Sequence, residues 1–234
     1  MRRLVLLLAA SEGAASLGDR VKEYVASVAP RAAAAGADVR GGHQIESDPL
    51  AALAEATGRN VAPLNALVEV TAADLGDDAL AAIVDGAAAA LADVIDPRRS
   101  TAVLGEVHKL TSHGPGVLEL ALAARRISSL TPDGFNDYWL NTHAPLALSL
   151  MPPGSTDRFG YQQLHADAKA NQLAAEAAGV AFGDYDGLLQ VHMTAPEDFL
   201  SVAAEPSFAQ KIYEDELNFA DQGELRGAFL HMAG

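Results

Sequence analysis

Cysteine is absent from all 234 residues, which excludes disulfides, a thiolate nucleophile and any cysteine-ligated metal centre. Basic side chains are scarce: 16 Lys and Arg stand against 31 Asp and Glu, a formal net charge of −15. A field of that sign repels phosphate backbones and anionic head groups, so neither nucleic acid nor a membrane surface is an expected partner. No segment approaches the ~18 uninterrupted apolar residues of a membrane span. The start, Met1-Arg2-Arg3 followed by Leu4 to Ala10, has the outline of a signal peptide, but its apolar core is short and fits a buried first strand. Cytosol is then the default compartment. Also missing are G-x-G-x-x-G after a strand, G-x-x-x-x-G-K-[ST], H-E-x-x-H and G-x-S-x-G, which removes support for a bound nucleotide, a zinc protease site and a hydrolase elbow. The histidines lack a compact ligand spacing, so neither metal nor any other cofactor is expected.

Half of the residues are hydrophobic, in Ala-rich runs punctuated by short polar loops, the profile of a well-packed globular protein. The period of those runs predicts two similar halves. In the second, Val117 to Ala124 reads as a strand with Leu118, Leu120 and Leu122 on one parity. Thr131 suits an N-cap and Pro132 the first helical position, and Phe135, Tyr138, Trp139, Thr142, His143 and Leu146 form one helical stripe. Further on come a strand from Phe159 to Asp167, a helix from Ala168 to Ala178 closed by Gly179, and a strand from Tyr185 to Met193. Thr194 and Glu197 suggest a capping box opening a helical region that Pro206 interrupts, and Leu225 to Met232 is the last strand.

The first half repeats this order: strand 4–10, helix 19–35, strand 39–45, short helix 50–56, strand 64–71, helix 77–95 and strand 101–110. Setting Pro30 against Pro145 places Tyr24 opposite Trp139 and Val28 opposite His143. Later, His43 falls opposite His165 and His108 opposite His231, with one loop insertion between. That agreement favours a diverged internal duplication over chance. Each half then reads β-α-β-β-α-β with an added helix, the ferredoxin-like split βαβ plan. The expected division is a degenerate ferredoxin-like domain at 1–112 and a second domain at 116–234, joined near Thr111 to Gly116.

Four separated motifs carry a resemblance to a known family: Phe135-x-x-Tyr138-Trp139-x-x-x-His143-Ala144-Pro145, Tyr161-x-Gln163-x-His165, Asp186-Gly187, and Asp215-Glu216-x-x-Phe219-x-Asp221. Over residues 116 to 234 the sequence resembles the EthD family of ferredoxin-like, dimeric α+β barrel proteins. The resemblance implies an α+β fold in which the bare face of each sheet meets a partner sheet. Here the chain carries both halves, as an intrachain pseudo-dimeric barrel that leaves room for a further homodimer. Related small barrels include lyases, isomerases, polyketide-type cyclases and cofactor-free oxygenases, so the fold alone fixes no reaction.

His143 survives only in the second half, which predicts a single pocket there, with the first half as a structural partner. On an apolar stripe a neutral imidazole can accept a proton, making His143 the candidate base. Pro145 leaves the Asn141 carbonyl without its helical donor, and a bend there would open space for a ligand. Tyr161, Gln163 and His165 share one strand parity; Tyr161 and His165 are candidate assistants in catalysis. Trp139, Tyr138, Gln163 and His192 are the candidate substrate contacts, with His192 facing the other sheet or a central cavity. His165 joins His143 only if its parity points toward the helices. Asp215, Glu216 and Asp221 read as chiefly structural caps or ion pairs. The expected function is cofactor-independent proton-transfer chemistry, of lyase, cyclase or isomerase type, on a small and largely apolar carbonyl or aromatic metabolite. A cofactor-free monooxygenase and a non-catalytic small-molecule binder are the alternatives.

Overall fold

The structure is a computed structural model that describes residues 1–112 and 116–233. Of the expected linker, His113, Gly114 and Pro115 lie outside the described residues. The first half runs β1 (Arg2–Leu8), α1 (Leu17–Ala35), β2 (Ala37–Gln44), α2 (Leu50–Ala56), β3 (Val61–Pro63), β4 (Ala66–Ala72), α3 (Asp77–Ile83), α4 (Ala87–Ala90) and β5 (Thr101–Lys109). The second runs β6 (Leu118–Ala124), α5 (Pro132–Tyr138), α6 (Ala144–Leu150), β7 (Phe159–Ala166), α7 (Ala168–Ala178), β8 (Gly187–Met193), α8 (Pro196–Ala203), α9 (Pro206–Glu216) and β9 (Leu225–Ala233). None of these helices is long and apolar enough to cross a membrane.

Strand order is β2-β4-β1-β5 in the first half and β7-β8-β6-β9 in the second, the same second-third-first-fourth arrangement twice. β5 then pairs antiparallel with β7, and β2 with β9, closing the sheet into a barrel. The short β3 adds a parallel edge to β9. The α+β barrel expected from the sequence is therefore formed within one chain. At the β5–β7 seam the backbones come so close that a Cβ on Gly105 would lie 1.8 Å from the His165 carbonyl oxygen.

Two local expectations need correction. The helix expected over 77–95 is broken into α3 and α4, because Gly86 takes a left-handed conformation (φ 72) between them, which an achiral residue adopts without penalty. At the start of α8 the cap is made by Asp198, whose carboxylate accepts the Thr194 and Ala195 N–H groups at 3.2 and 2.9 Å; Thr194 and Glu197 are not the pair. By contrast α7 starts and stops as its sequence dictates. Asp167 accepts the Lys169 and Ala170 N–H groups, and Gly179 closes the helix at φ 73.

Alternation along the strands sorts the core into layers. Val5, Leu7, Leu67, Val103, Leu164 and Leu188 fill the barrel interior. On the outer faces, Leu4, Leu6 and Leu8 meet α1 and α3, whereas Leu120, Val191 and Phe229 meet α8, α9 and α2. One end of the interior is ionic. Buried Glu69 on β4 accepts both guanidinium arms of Arg40 (3.0 and 3.1 Å), and Arg3 lies 3.3 Å away. Arg40 reaches Glu119 on β6 at 2.6 Å, and Gln190 on β8 donates to both carboxylates. His192 Nδ1 stands 3.2 Å from Glu119.

Burial alone would raise the pKa of Glu69 and Glu119. Arg40 beside both, with Arg3 beside Glu69 and His192 beside Glu119, outweighs that and holds them below the ordinary carboxylate value. Their unfolded counterparts take up protons first, so this stability is complete above about 4.5 and is lost as pH falls toward the folded values. Glu69→Gln leaves the buried Arg3 and the partly buried Arg40 short of a counter-charge and is expected to cost about 3–5 kcal/mol in urea unfolding near pH 7. The same variant should flatten the acid limb of the stability profile; an unchanged limb would show that the network does not set it.

Candidate functional site

The helix carrying the Trp139 and His143 signature is not uniform. Thr131 caps α5 by accepting the Gly134 N–H at 3.1 Å, and between α5 and α6 residues Trp139–His143 form a π-helical turn in which the Ala144 N–H reaches the Trp139 carbonyl. Pro145 has no N–H to give the Asn141 carbonyl, so the i to i−4 ladder is interrupted where the wider turn forms. The extra residue slips the phase of the buried stripe. Phe135, Trp139 and His143 face the sheet as expected, but Thr142 is exposed, and Ala144 and Ala147 take the buried positions expected of Thr142 and Leu146.

His143 is buried against Phe219, with ring centroids 4.9 Å apart. Its Nδ1 lies 2.7 Å from Asp215 Oδ2, and the Tyr138 hydroxyl donates to Asp215 Oδ1 at 2.9 Å. An ionised carboxylate only accepts, so Nδ1 is the donor in this bond, and in the neutral ring Nε2 is the nitrogen with the lone pair. Partial burial and the bond to Asp215 raise the Tyr138 pKa, keeping its phenol protonated as the donor. Asp215, read from sequence as a structural acid, is thus the group that orients the imidazole. Its neighbour Glu216 binds Arg59 of the first half at 2.7 and 2.9 Å.

Tyr161, Gln163 and His165 point toward the helices, on the same side as His143. The amide of Gln163 donates to the Trp139 carbonyl (3.1 Å) and to the Tyr161 hydroxyl (2.8 Å), while its oxygen accepts from His165 Nε2 at 3.0 Å. The Tyr161 oxygen is therefore engaged as an acceptor and its own proton is left to give. Burial, opposed by Gln163 and reinforced by Glu216, pushes the phenol well above its ordinary range. His165 stacks on Trp139 with ring centroids 5.1 Å apart and packs beside His108. Gly187 explains the Asp186-Gly187 motif: a Cβ there would sit 2.3 Å from the Trp139 ring. Asp186 fixes the approach by accepting the Arg126 N–H at 2.8 Å.

A cavity of about 830 Å³, mouth included, lies between these helices and the sheet. Leu120, Phe159 and Val191 form its floor, and Phe208 and Ile212 a side wall. The polar groups reaching it are His143, Tyr161, Thr57, Arg59 and Glu216. Leu50, Leu53 and Ala54 of α2 complete it, so the first half builds part of the wall, a contribution its sequence gave no reason to expect. Trp139, Tyr138, Gln163 and His165 stand behind the lining. His192 is elsewhere, in the barrel interior with Glu119, and the structure does not bring it to this cavity. Around Val28 the corresponding space is filled: Val28 and Tyr24 pack in a core with Ala170, Ala174 and Ala178 of α7. Among the described residues no three His, Asp or Glu side chains cluster as metal ligands.

The architecture defines a member of the dimeric α+β barrel class. A variant of chlorite dismutase from Candidatus Nitrospira defluvii matches it with a TM-score of 0.54, covering 98% of this chain and 90% of that one. At 8% identity this likeness concerns the fold alone. Residues 128–223 match the EthD domain, and the chain belongs to the EthD family. Conidial pigment biosynthesis dehydratase EthD of Metarhizium robertsii is 31% identical over 108 residues, spanning 45% of this chain and 75% of that protein. Dehydratase ustZ of Ustilaginoidea virens is 27% identical over 111 residues, spanning 45% and 76%.

Burial, with His108 alongside, lowers the His165 pKa to about 4. Between the ordinary 6.5 and that value the unfolded chain holds the extra proton, so this group makes stability fall as pH falls. Trp139 is the sole tryptophan, and an imidazolium stacked on indole quenches its emission. Intrinsic fluorescence should therefore drop with a midpoint near 4. His165→Phe should abolish the step; a midpoint near 6.5 in the parent protein would contradict the buried, neutral His165.

Proposed function

We propose that the chain is a cofactor-independent dehydratase of the lyase class, acting on a largely apolar β-hydroxy carbonyl compound. The observation that carries this reading is the Asp215–His143 pair, whose imidazole lines an apolar cavity also reached by the Tyr161 phenol. The dehydratase names of two relatives support the same reaction class.

In this mechanism His143 Nε2 takes the proton from the carbon beside the carbonyl, and the C–H pair moves into an enolate whose oxygen accepts the Tyr161 proton as a hydrogen bond. The enolate pair then re-forms the carbonyl and a carbon–carbon double bond as the β-hydroxyl leaves. The imidazolium returns its proton to that hydroxide, so water is released and His143 is neutral again. Asp215 holds the ring in one tautomer and steadies the charge on the imidazolium. Trp139 and Gln163 position Tyr161, with His165 behind them, and Tyr138 positions Asp215.

We also read residues 1–112 as a diverged duplicate of 116–234 that has lost the histidine and kept a supporting role. The shared strand order and the paired positions Val28 and His143 support it.

A suitable probe is 3-hydroxy-1-tetralone, whose loss of water gives 1-naphthol with a clear ultraviolet change. His143→Ala should reduce turnover by about 10²–10⁴, and Tyr161→Phe by about 10²–10³. Asp215→Asn should lower kcat while leaving KM nearly unchanged, because it misorients the base rather than altering the cavity wall. Full activity of His143→Ala would remove the proposed mechanism.

A further inference from the structure

A second groove opens on the surface between α2 and the α8–α9 pair. Leu53, Thr57, Ala203 and Ala209 line both it and the inner cavity, so the two adjoin with only these side chains between them. At its outer rim stand Ala56, Ala204 and Gln210, all exposed. The wall on one side, α2, belongs to the first half and is tied at its two ends. At its start, Asp48 accepts the N–H groups of Leu50 (2.9 Å) and Phe229 (3.2 Å). Beyond its end, Arg59 grips Glu216 and lies over the Tyr213 ring at 5.2 Å. Between those ties α2 buries only Leu50 and Ala54. A seven-residue helix held at its ends, with few buried side chains, is among the parts of a fold that open at low cost.

We propose that this groove is the entrance to the cavity, that Ala56, Ala204 and Gln210 limit the size of ligand admitted, and that Arg59–Glu216 latches α2 over the bound molecule. The inference rests on the cavity being the ligand site and adds the route into it. It gives the N-terminal half a role in selectivity: one wall of the gate and the arginine of the latch come from the half that lacks the histidine. The small side chains at the mouth and the apolar lining suit a flat, uncharged ring compound entering edge first.

Because the chain has no cysteine, a single introduced thiol can be modified selectively and reversibly. Ala56→Cys and Gln210→Cys would each be treated with a methyl or a bulky spin-label methanethiosulfonate, with Gln172→Cys on exposed α7 surface as the control. Entry of N-phenyl-1-naphthylamine, a neutral apolar probe, is followed by stopped-flow fluorescence. The bulky adducts at 56 and 210 should slow association and dissociation together by roughly tenfold or more, with affinity little changed. Reduction should restore both rates, and neither the methyl adducts nor the control should move them. Arg59→Met, which opens the latch, should speed both. Unaltered rates in the bulky adducts, or absence of probe binding to the parent chain, would overturn the entrance. Gated probe entry without tetralone turnover would instead sink the lyase reading and leave the entrance standing.

Discussion

A four-stranded sheet covered by helices on one face has a bare face and two unpaired edges, and neither is stable in water. Both problems are solved here by the same act, the joining of β5 to β7 and of β2 to β9. Closure turns each bare face into half of an interior, and that interior need not be wholly apolar. Arg3, Arg40 and Glu69 pair across strands of the first half, and Arg40 crosses to Glu119 of the second. Each charge has its counter-charge within the barrel, so the network ties the registers of the two sheets at a cost that apolar packing above it offsets. Gly105 at one seam and Gly42, against Met232, at the other let the backbones come together.

Closure also decides where a ligand can go. The interior is filled by side chains and ion pairs, which leaves the outer, helix-covered faces. On the first face α1 runs unbroken through Pro30, and α7, sent across from the other half, packs its alanines against β5 and α3 in the same core. On the second, α2 makes the reciprocal crossing, but the π turn after α5 changes the phase of the covering helix and places His143 over open space. One exchange of helices thus yields a solid core on one side and a lined cavity on the other.

Much of this was legible in the chain. Strand parity put Tyr161, Gln163 and His165 on one face but left open which way that face points, and it sent His192 toward the other sheet, which removes His192 from the cavity. The four histidines that the sequence set opposite one another all fall at the seams of the barrel, in other pairs. His43 lies by His231 at one seam and His108 by His165 at the other. What stayed hidden was of two kinds. The role of Asp215 depends on the position of α9 relative to α5, a tertiary fact with no local signal beyond an acid near a helix end. The π turn was foreshadowed by Pro145, but Pro30 has the same sequence context without one, so proline alone does not determine it.

The contrast between those prolines points to what distinguishes the halves. A widened turn places one more residue in the helix, and its carbonyls must find other donors. In the second half the Trp139 carbonyl accepts the Ala144 N–H of the wider turn and a second bond from Gln163, while Gly187 gives the indole room against the strand. In the first half the strand equivalent to β7 is β2, whose Gly41 meets Val21 and Val25 of α1 instead. The signature residues Trp139, Gln163 and Gly187 are therefore conditions for one another. Together they hold a distorted helix in the shape that carries His143 to Asp215, which is why the motif reads as a site even though, of its polar members, His143, Tyr161 and Glu216 reach the cavity and the rest stand behind it.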